Sequence, residues 1–245
     1  MFAIQFLTII PLVPGLSFKD SELKTSLASF PLVGLLLGCL LAGFDSIAKN
    51  LWSPSVMGVM NVALLAFLTR GLHLDGLADT SDALGSGAGP EKALSIMRDS
   101  HSGALGILVL ILVLLLKSSA LAVLSGRGTW EVMLLCPCLS RWGLNVMASS
   151  SIYARPEGGL GKAFVGSGTR WTLALAGPTA LGAAWFLWGL WGIWFFAGVV
   201  VWSLLVSLWF KKRLGGVTGD VLGGHLEISE TLLFIGAAAI YGINF

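Results

Sequence analysis

The sequence predicts an all-α, polytopic integral membrane helical bundle of about seven transmembrane helices, entered through a re-entrant or interfacial N-terminal segment. Three observations predict it. Of 245 residues, 56% are hydrophobic and 11% charged, against about 25% charged in a soluble domain. Mean hydropathy is +0.86. The apolar residues gather in runs near the ~20 residues that a helix needs to cross a bilayer. Many of the ten tryptophans stand near the ends of those runs, where an interfacial belt places them. Residues 1–245 read as a single integral membrane domain, because the bundle accounts for nearly the whole chain.

In chain order, residues 1–15 are apolar but broken by Pro11 and Pro14 before they can span. A polar piece with Lys19, Asp20, Glu22 and Lys24 follows. The first span covers about 30–48, with Gly34, Gly38 and Gly43 spaced to let a neighbouring helix approach. The second covers about 54–72. The third, about 104–124, carries Lys117 deep inside, which must snorkel or pair. The fourth, about 132–152, carries Arg141. The fifth (171–188) and sixth (191–210) leave almost no loop between them and form a tight hairpin. The seventh, 231–241, is short for a crossing, so either its start lies before Glu230 or it does not cross fully. No cleavable signal precedes them, since residues 1–14 lack a basic n-region and a small-residue cleavage site.

Basic residues set the orientation. With the N-terminus on side one, that side holds Lys19, Lys24, Arg70, Lys92, Arg98, Arg155, Lys162, Arg170, Lys211, Lys212 and Arg213. Side two holds Lys49 and Arg127. Side one is therefore cytoplasmic. A formal net charge of +2 says nothing about nucleic acid, and no basic stripe interleaved with aromatics appears, so no nucleic-acid partner is expected; the lipid bilayer is the surrounding one. Cys39, Cys136 and Cys138 offer neither a disulfide framework nor a paired zinc motif.

The chemistry gathers on side one, in three stretches. The stretch from Arg70 to Gly106 holds Asp75, Asp79, Asp82, Glu91 and Asp99 with Arg70, Lys92 and Arg98. If 74–84 is helical, Asp75, Asp79 and Asp82 share one narrow face. Like charges at this spacing repel, so something positive belongs against them. Oxygen-only ligands suit Mg2+ or Mn2+. Gly103 and Gly106 open the next helix, whose amides favour an anion. The second stretch, 153–170, is glycine-rich with Arg155, Lys162 and Arg170, which suits phosphate. The third, 214–230, surrounds Asp220 with glycines and continues to His225, Glu227 and Glu230. The residues alone point to a membrane enzyme acting on a phosphorylated substrate with Mg2+.

These pieces resemble the cobalamin synthase family, the adenosylcobinamide-GDP ribazoletransferases. The resemblance rests on QFLTIIPLVP (5–14), HLDGLADTSDALG (73–85), MRDS (97–100) followed by Gly103-Ala104, LSRW with YARPEGGLGKAF (139–164), and GGVTGDVLGGHLEISE (215–230). They follow in family order over essentially the whole chain. The chain departs from the common pattern at Ile9 and at His101-Ser102. The resemblance implies an enzyme that joins adenosylcobinamide-GDP to alpha-ribazole or its 5'-phosphate. The products would be adenosylcobalamin or its phosphate and GMP, late in coenzyme B12 assembly. It implies Mg2+ as cofactor and a multi-pass place in the bacterial or archaeal inner membrane, with the active site on the cytoplasmic face. Copies of itself and other B12-assembly enzymes are candidate partners. It also implies that Asp75, Asp79, Asp82 and Asp99 hold the metal, and that Asp82, Asp99 and Asp220 carry catalysis. Arg98, Arg141, Arg155, Lys162, Glu227 and Glu230 would contact substrate. Two rivals are a Mg-dependent CDP-alcohol-type phosphotransferase, whose full DGxxAR repeat is missing here, and a transporter using Lys117 and Arg141. A transporter would place its acids nearer the midplane.

Overall fold

Within a bilayer a chain must satisfy its own backbone hydrogen bonds, and each membrane-length apolar run is indeed helical. The computed structural model describes residues 1–12, 20–99, 101–155, 157–166 and 169–243; Pro14, Lys19 and Ser100 lie outside them. Among the described residues there is no named strand, only an isolated parallel bridge between Tyr153 and Val217.

The N-terminal helix α1 (Phe2–Leu7) has six residues and does not cross. It lies against one end of the bundle, where the Ile9 amide donates to the Leu68 carbonyl at 2.7 Å. Helix α2 (Asp20–Ser26) leads through a 3-10 turn into α3 (Phe30–Ala48). Gly34 and Gly38 are the close-approach residues that their spacing predicts. A Cβ on Gly34 would stand 2.3 Å from the Pro137 carbonyl oxygen, and one on Gly38 2.6 Å from the Leu134 Cα. A Cβ on Gly43 would meet no described atom of another element within 4 Å, so the small-residue stripe is shorter than expected.

Helix α4 (Pro54–Leu68) ends four residues before the predicted boundary. Arg70 (φ 55°) and Gly71 (φ 65°) take the left-handed conformation, which no helix continues through. The chain turns by 95° into α5 (Leu72–Gly85). Helix α5 therefore leaves the line of the span and runs across the bundle end, carrying the acidic residues with it. Helix α6 (Pro90–Ile96) follows.

Helix α7 (Ala104–Arg127) crosses and stops at Gly128, in the left-handed C-terminal position that favours glycine. Helix α8 (Trp130–Ser150) returns, and nearly all of it is buried, so it is the central post. The predicted hairpin appears as one long helix, α9 (Trp171–Leu214), broken at Gly189 with φ 57° and ψ −132°. A Cβ on Gly192 would strike the Ala184 carbonyl, and the Trp188 and Phe195 rings lie 4.8 Å apart. Neither contact is possible along a straight helix.

Helix α10 (Gly219–Ile243) is the main correction. The seventh span begins at Gly219, not near Thr231. Its first turns read as a polar connector because Asp220, His225, Glu227 and Glu230 dilute the apolar signal, yet His225, Glu227 and Glu230 are buried. Among the described residues five helices are long and apolar enough to cross a membrane, or six if the bent pair α4 and α5 is one span. Counting the two arms of α9 separately then gives seven passes.

Candidate active site

The predicted site residues fall into two groups, one at the bundle end and one inside it. At the end, α5 packs its small face on the start of α10. A Cβ on Gly76 would stand 2.7 Å from the Asp220 carbonyl oxygen, and one on Gly224 3.3 Å from the Leu77 Cα. Beside that glycine-contact face, the adjoining side of α5 carries Asp75, Asp79 and Asp82. Asp75 is exposed; Asp79 and Asp82 are half-buried.

Asp82 is occupied. Its carboxylate accepts from the Gly103 amide at 2.6 Å and the Gly106 amide at 2.8 Å. The anion at the start of α7 is thus a side chain of the protein itself. A Cβ on either glycine would come within 2.4 Å of that carboxylate. This bond fixes α5 to α7 and makes Asp82 a stationary charge rather than a free base. Asp82→Ala is expected to lower the unfolding free energy by about 1–2 kcal/mol, the usual worth of such a cap, in denaturant titrations followed by circular dichroism.

Asp79 has no hydrogen bond or ion pair among the described residues. Burial, followed by the charges of Asp75, Asp220 and Asp82, pushes its carboxyl up to about 6; Arg155 opposes them. Asp220 stands in the first turn of α10 and accepts from Arg155 Nη2 at 2.7 Å. Thr218 caps that turn, taking the Val221 amide on its hydroxyl. Arg155 is carried there by backbone pairing: the Ala154 amide donates to Val217 and the Val217 amide to Ile152. Gly216 and Gly161 permit the approach, since Cβ atoms there would meet the Ile152 carbonyl and the Gly219 backbone. The glycines of the 153–164 loop and of 215–219 therefore make one close seam, with Lys162 exposed beside it.

Asp99 sits apart. It is exposed, and the His101 ring donates to it at 2.7 Å, which holds its carboxyl below the usual range. It does not contribute to the field on Asp79. Arg98 pairs with Glu157, tying the Asp99 loop to the glycine-rich loop. Among the described residues no three Cys, His, Asp or Glu side chains form a ready-made cation cluster. The four-carboxylate cage expected from Asp75, Asp79, Asp82 and Asp99 is not assembled. The donor chemistry still fits Mg2+, which characteristically takes one or two carboxylates plus substrate phosphates and water. The uncompensated charge around Asp79 is the observation that favours it.

The second group lies inside the bundle. Lys117 donates to Glu227 at 2.5 Å and to Glu230 at 3.1 Å. Arg141, 1% exposed, pairs with Glu230, which also accepts from Ser140. Arg141, Glu227 and Glu230, expected at the substrate, are spent on one another and on Lys117. It is the family resemblance that places all three at the substrate.

Sequence reading takes His73 as a hydrogen-bonded residue rather than a zinc ligand and gives it no part in the site. It is buried, its Nδ1 has no partner among the described residues, and desolvation with nearby Arg141 pushes it down to about 3, so the ring is neutral. It lines a cavity of about 150 Å3 between α1, α5, the 160–164 turn and α10, whose rim carries Asp75 and Asp220. The signal was present in the quoted motifs, but nothing in the spacing joined residues 6, 30, 73 and 164.

The family description "Cobalamin-5-phosphate synthase" matches residues 1–238. An adenosylcobinamide-GDP ribazoletransferase of Geotalea daltonii is 39% identical over 240 residues, covering 98% of this chain and 96% of that protein. One of Syntrophobacter fumaroxidans is 40% identical over 247 residues, covering 98% and 97%. One of Acetivibrio thermocellus is 33% identical over 235 residues, covering 96% and 95%. No solved structure matches.

Proposed function

The chain belongs to the cobalamin-5-phosphate synthase family, and from that premise we infer that it is an adenosylcobinamide-GDP ribazoletransferase of the membrane. It transfers the adenosylcobinamide phosphate from adenosylcobinamide-GDP to alpha-ribazole or its 5'-phosphate, giving adenosylcobalamin or its phosphate and GMP. The observation that carries the location of the chemistry is the uncompensated acidic field around Asp79, facing Arg155 and Asp220. The relatives lend no support to a transporter or a CDP-alcohol phosphotransferase.

In this reading a ribazole hydroxyl oxygen bonds to the corrinoid-linked phosphorus. The bond from that phosphorus to the bridging oxygen breaks, and GMP leaves with that oxygen. Asp220 stands at the cavity rim and takes the hydroxyl proton. Arg155, whose Nε has no partner among the described residues, and Lys162 offset the charge of the diphosphate. Asp75 and Asp79 would hold Mg2+ against that diphosphate. The ion, when bound, neutralises phosphate oxygens and steadies the leaving group. Asp82 keeps the acidic face in place from the α7 side. The concentration of Lys and Arg at this end of the bundle supports a cytoplasmic face, in a bacterial or archaeal inner membrane.

The test is purified protein in liposomes with adenosylcobinamide-GDP, alpha-ribazole and Mg2+. GMP and adenosylcobalamin are expected in equal amounts, EDTA stopping the reaction and added Mg2+ restoring it. Absence of GMP would defeat the transferase reading; unchanged turnover in excess EDTA would defeat the Mg2+ assignment.

A further inference from the structure

We propose that the cavity between α1, α5, the 160–164 turn and α10 seats the aromatic base of the acceptor nucleoside, with the His73 ring as its hydrogen-bond donor. The proposal rests on the transferase reading above and says where one of its two substrates lies.

The cavity has the right size for a small flat group and the wrong size for the rest. Its volume is about 150 Å3. An apolar cavity of roughly that volume holds a benzene ring, whereas drug-sized ligands need about 300 Å3 or more. A corrinoid macrocycle is excluded. Three phenylalanines build the wall, and they come from distant parts of the chain. Phe164 lies 4.9 Å from Phe6 and 5.7 Å from Phe30 between ring centroids, and all three line the space. Aromatic rings at such distances favour a further ring against them. The N-terminal QFLTIIP motif, which has no part in the phosphate chemistry, thereby supplies a wall.

The polar content selects among bases. His73 is 4% exposed, lines the cavity, and its Nδ1 has no hydrogen-bond partner among the described residues. A buried polar atom without a partner is costly, and a ligand atom can relieve it. Guanine carries several donors and acceptors on its edge and would leave most of them unmet among phenylalanines. A benzimidazole joined to ribose through one nitrogen has a single free imine nitrogen, which accepts one hydrogen bond. The His73 ring carries an N–H in either tautomer and can supply that bond. Asp75 and Asp220 stand at the rim, so a ribose attached to the seated base emerges beside the carboxylate assigned to its proton.

The experiment uses the full chain in liposomes and measures GMP release, varying alpha-ribazole and adenosylcobinamide-GDP in turn. Free benzimidazole serves as the probe of the base site. In the wild type, benzimidazole should compete with alpha-ribazole and not with adenosylcobinamide-GDP. His73→Leu and Phe6→Ala should each raise the KM for alpha-ribazole about tenfold, the worth of one lost hydrogen bond or ring contact. Both should weaken benzimidazole inhibition by the same factor and leave the KM for adenosylcobinamide-GDP unmoved. Phe6 sits on the short terminal helix, so Phe6→Ala carries the test if His73→Leu fails to insert. An unchanged alpha-ribazole KM, equal inhibition of wild type and variants, or a parallel rise in both KM values would overturn the assignment. A wild type that releases GMP while the variants behave in one of these ways sinks the cavity assignment alone. A wild type that releases none sinks the transferase reading with it.

Discussion

Lys117→Met is expected to lose most of the folded protein. Lys117 is 3% exposed and holds Glu227 and Glu230. Removing it leaves two buried carboxylates with only Arg141 between them. Breaking a buried pair in this way costs about 3–5 kcal/mol, a large part of the ~5–15 kcal/mol that holds a typical domain together. Lys117→Met combined with Glu227→Gln removes one charge of each sign and leaves the Arg141–Glu230 pair intact. That double variant should recover most of the loss, because a balanced pair replaced by neutral side chains is near neutral. Thermal unfolding in detergent, followed by circular dichroism, reads both. The buried group also gives a role to ions that lie far from the proposed site. Lys117 lies 11 residues beyond Gly106 on α7, and Glu227 lies 7 residues beyond Asp220 on α10. Their contact fixes how far one helix slides along the other. It therefore fixes Asp82, bound at the start of α7, against Asp220, at the start of α10.

Asp79→Asn is expected to reduce GMP release on the order of 10²–10³-fold, the scale seen when one charge-stabilising group is lost at a transition state. The same variant should be more stable than wild type without metal. Asp79 stands among Asp75, Asp220 and Asp82 with no neutralising partner, and its carboxyl rises from an ordinary 3.8 to about 6. A carboxyl raised in the folded state binds its proton more tightly folded than unfolded. Stability contributed by the protonated form is therefore present below about pH 4 and lost as pH rises through about 6. Asp79→Asn should flatten that part of the pH–stability curve and raise the thermal midpoint at pH 7. A loss of activity together with a fall in midpoint would mark Asp79 as merely structural.

Much of this architecture is written in local patterns. The seven apolar runs, the break between 188 and 191 and the acidic stripe on 72–85 all follow from periodicity and hydropathy, because these properties depend on neighbours in sequence. Gly34 and Gly38 announced a close helix contact for the same reason. What stayed hidden depends on partners far away along the chain. Glu227 and Glu230 look like surface acids until Lys117 and Arg141 are seen against them, and a helix start is hard to find when buried charges interrupt its apolar signal. Asp82 looks like a free ligand until the Gly103 and Gly106 amides close on it. Asp99 shares a motif with Arg98 yet is turned toward His101. Phe6, Phe30, His73 and Phe164 have no local pattern in common, so their cavity could not be read in advance.

The most direct test of the central claim is a count of bound Mn2+, used in place of Mg2+ for its paramagnetic signal, with adenosylcobinamide-GDP present and absent. Tight binding by the wild type only when the diphosphate is supplied, abolished together with GMP release in Asp75→Asn and Asp79→Asn, is the predicted result. Undiminished Mn2+ binding and GMP release in both variants would contradict it.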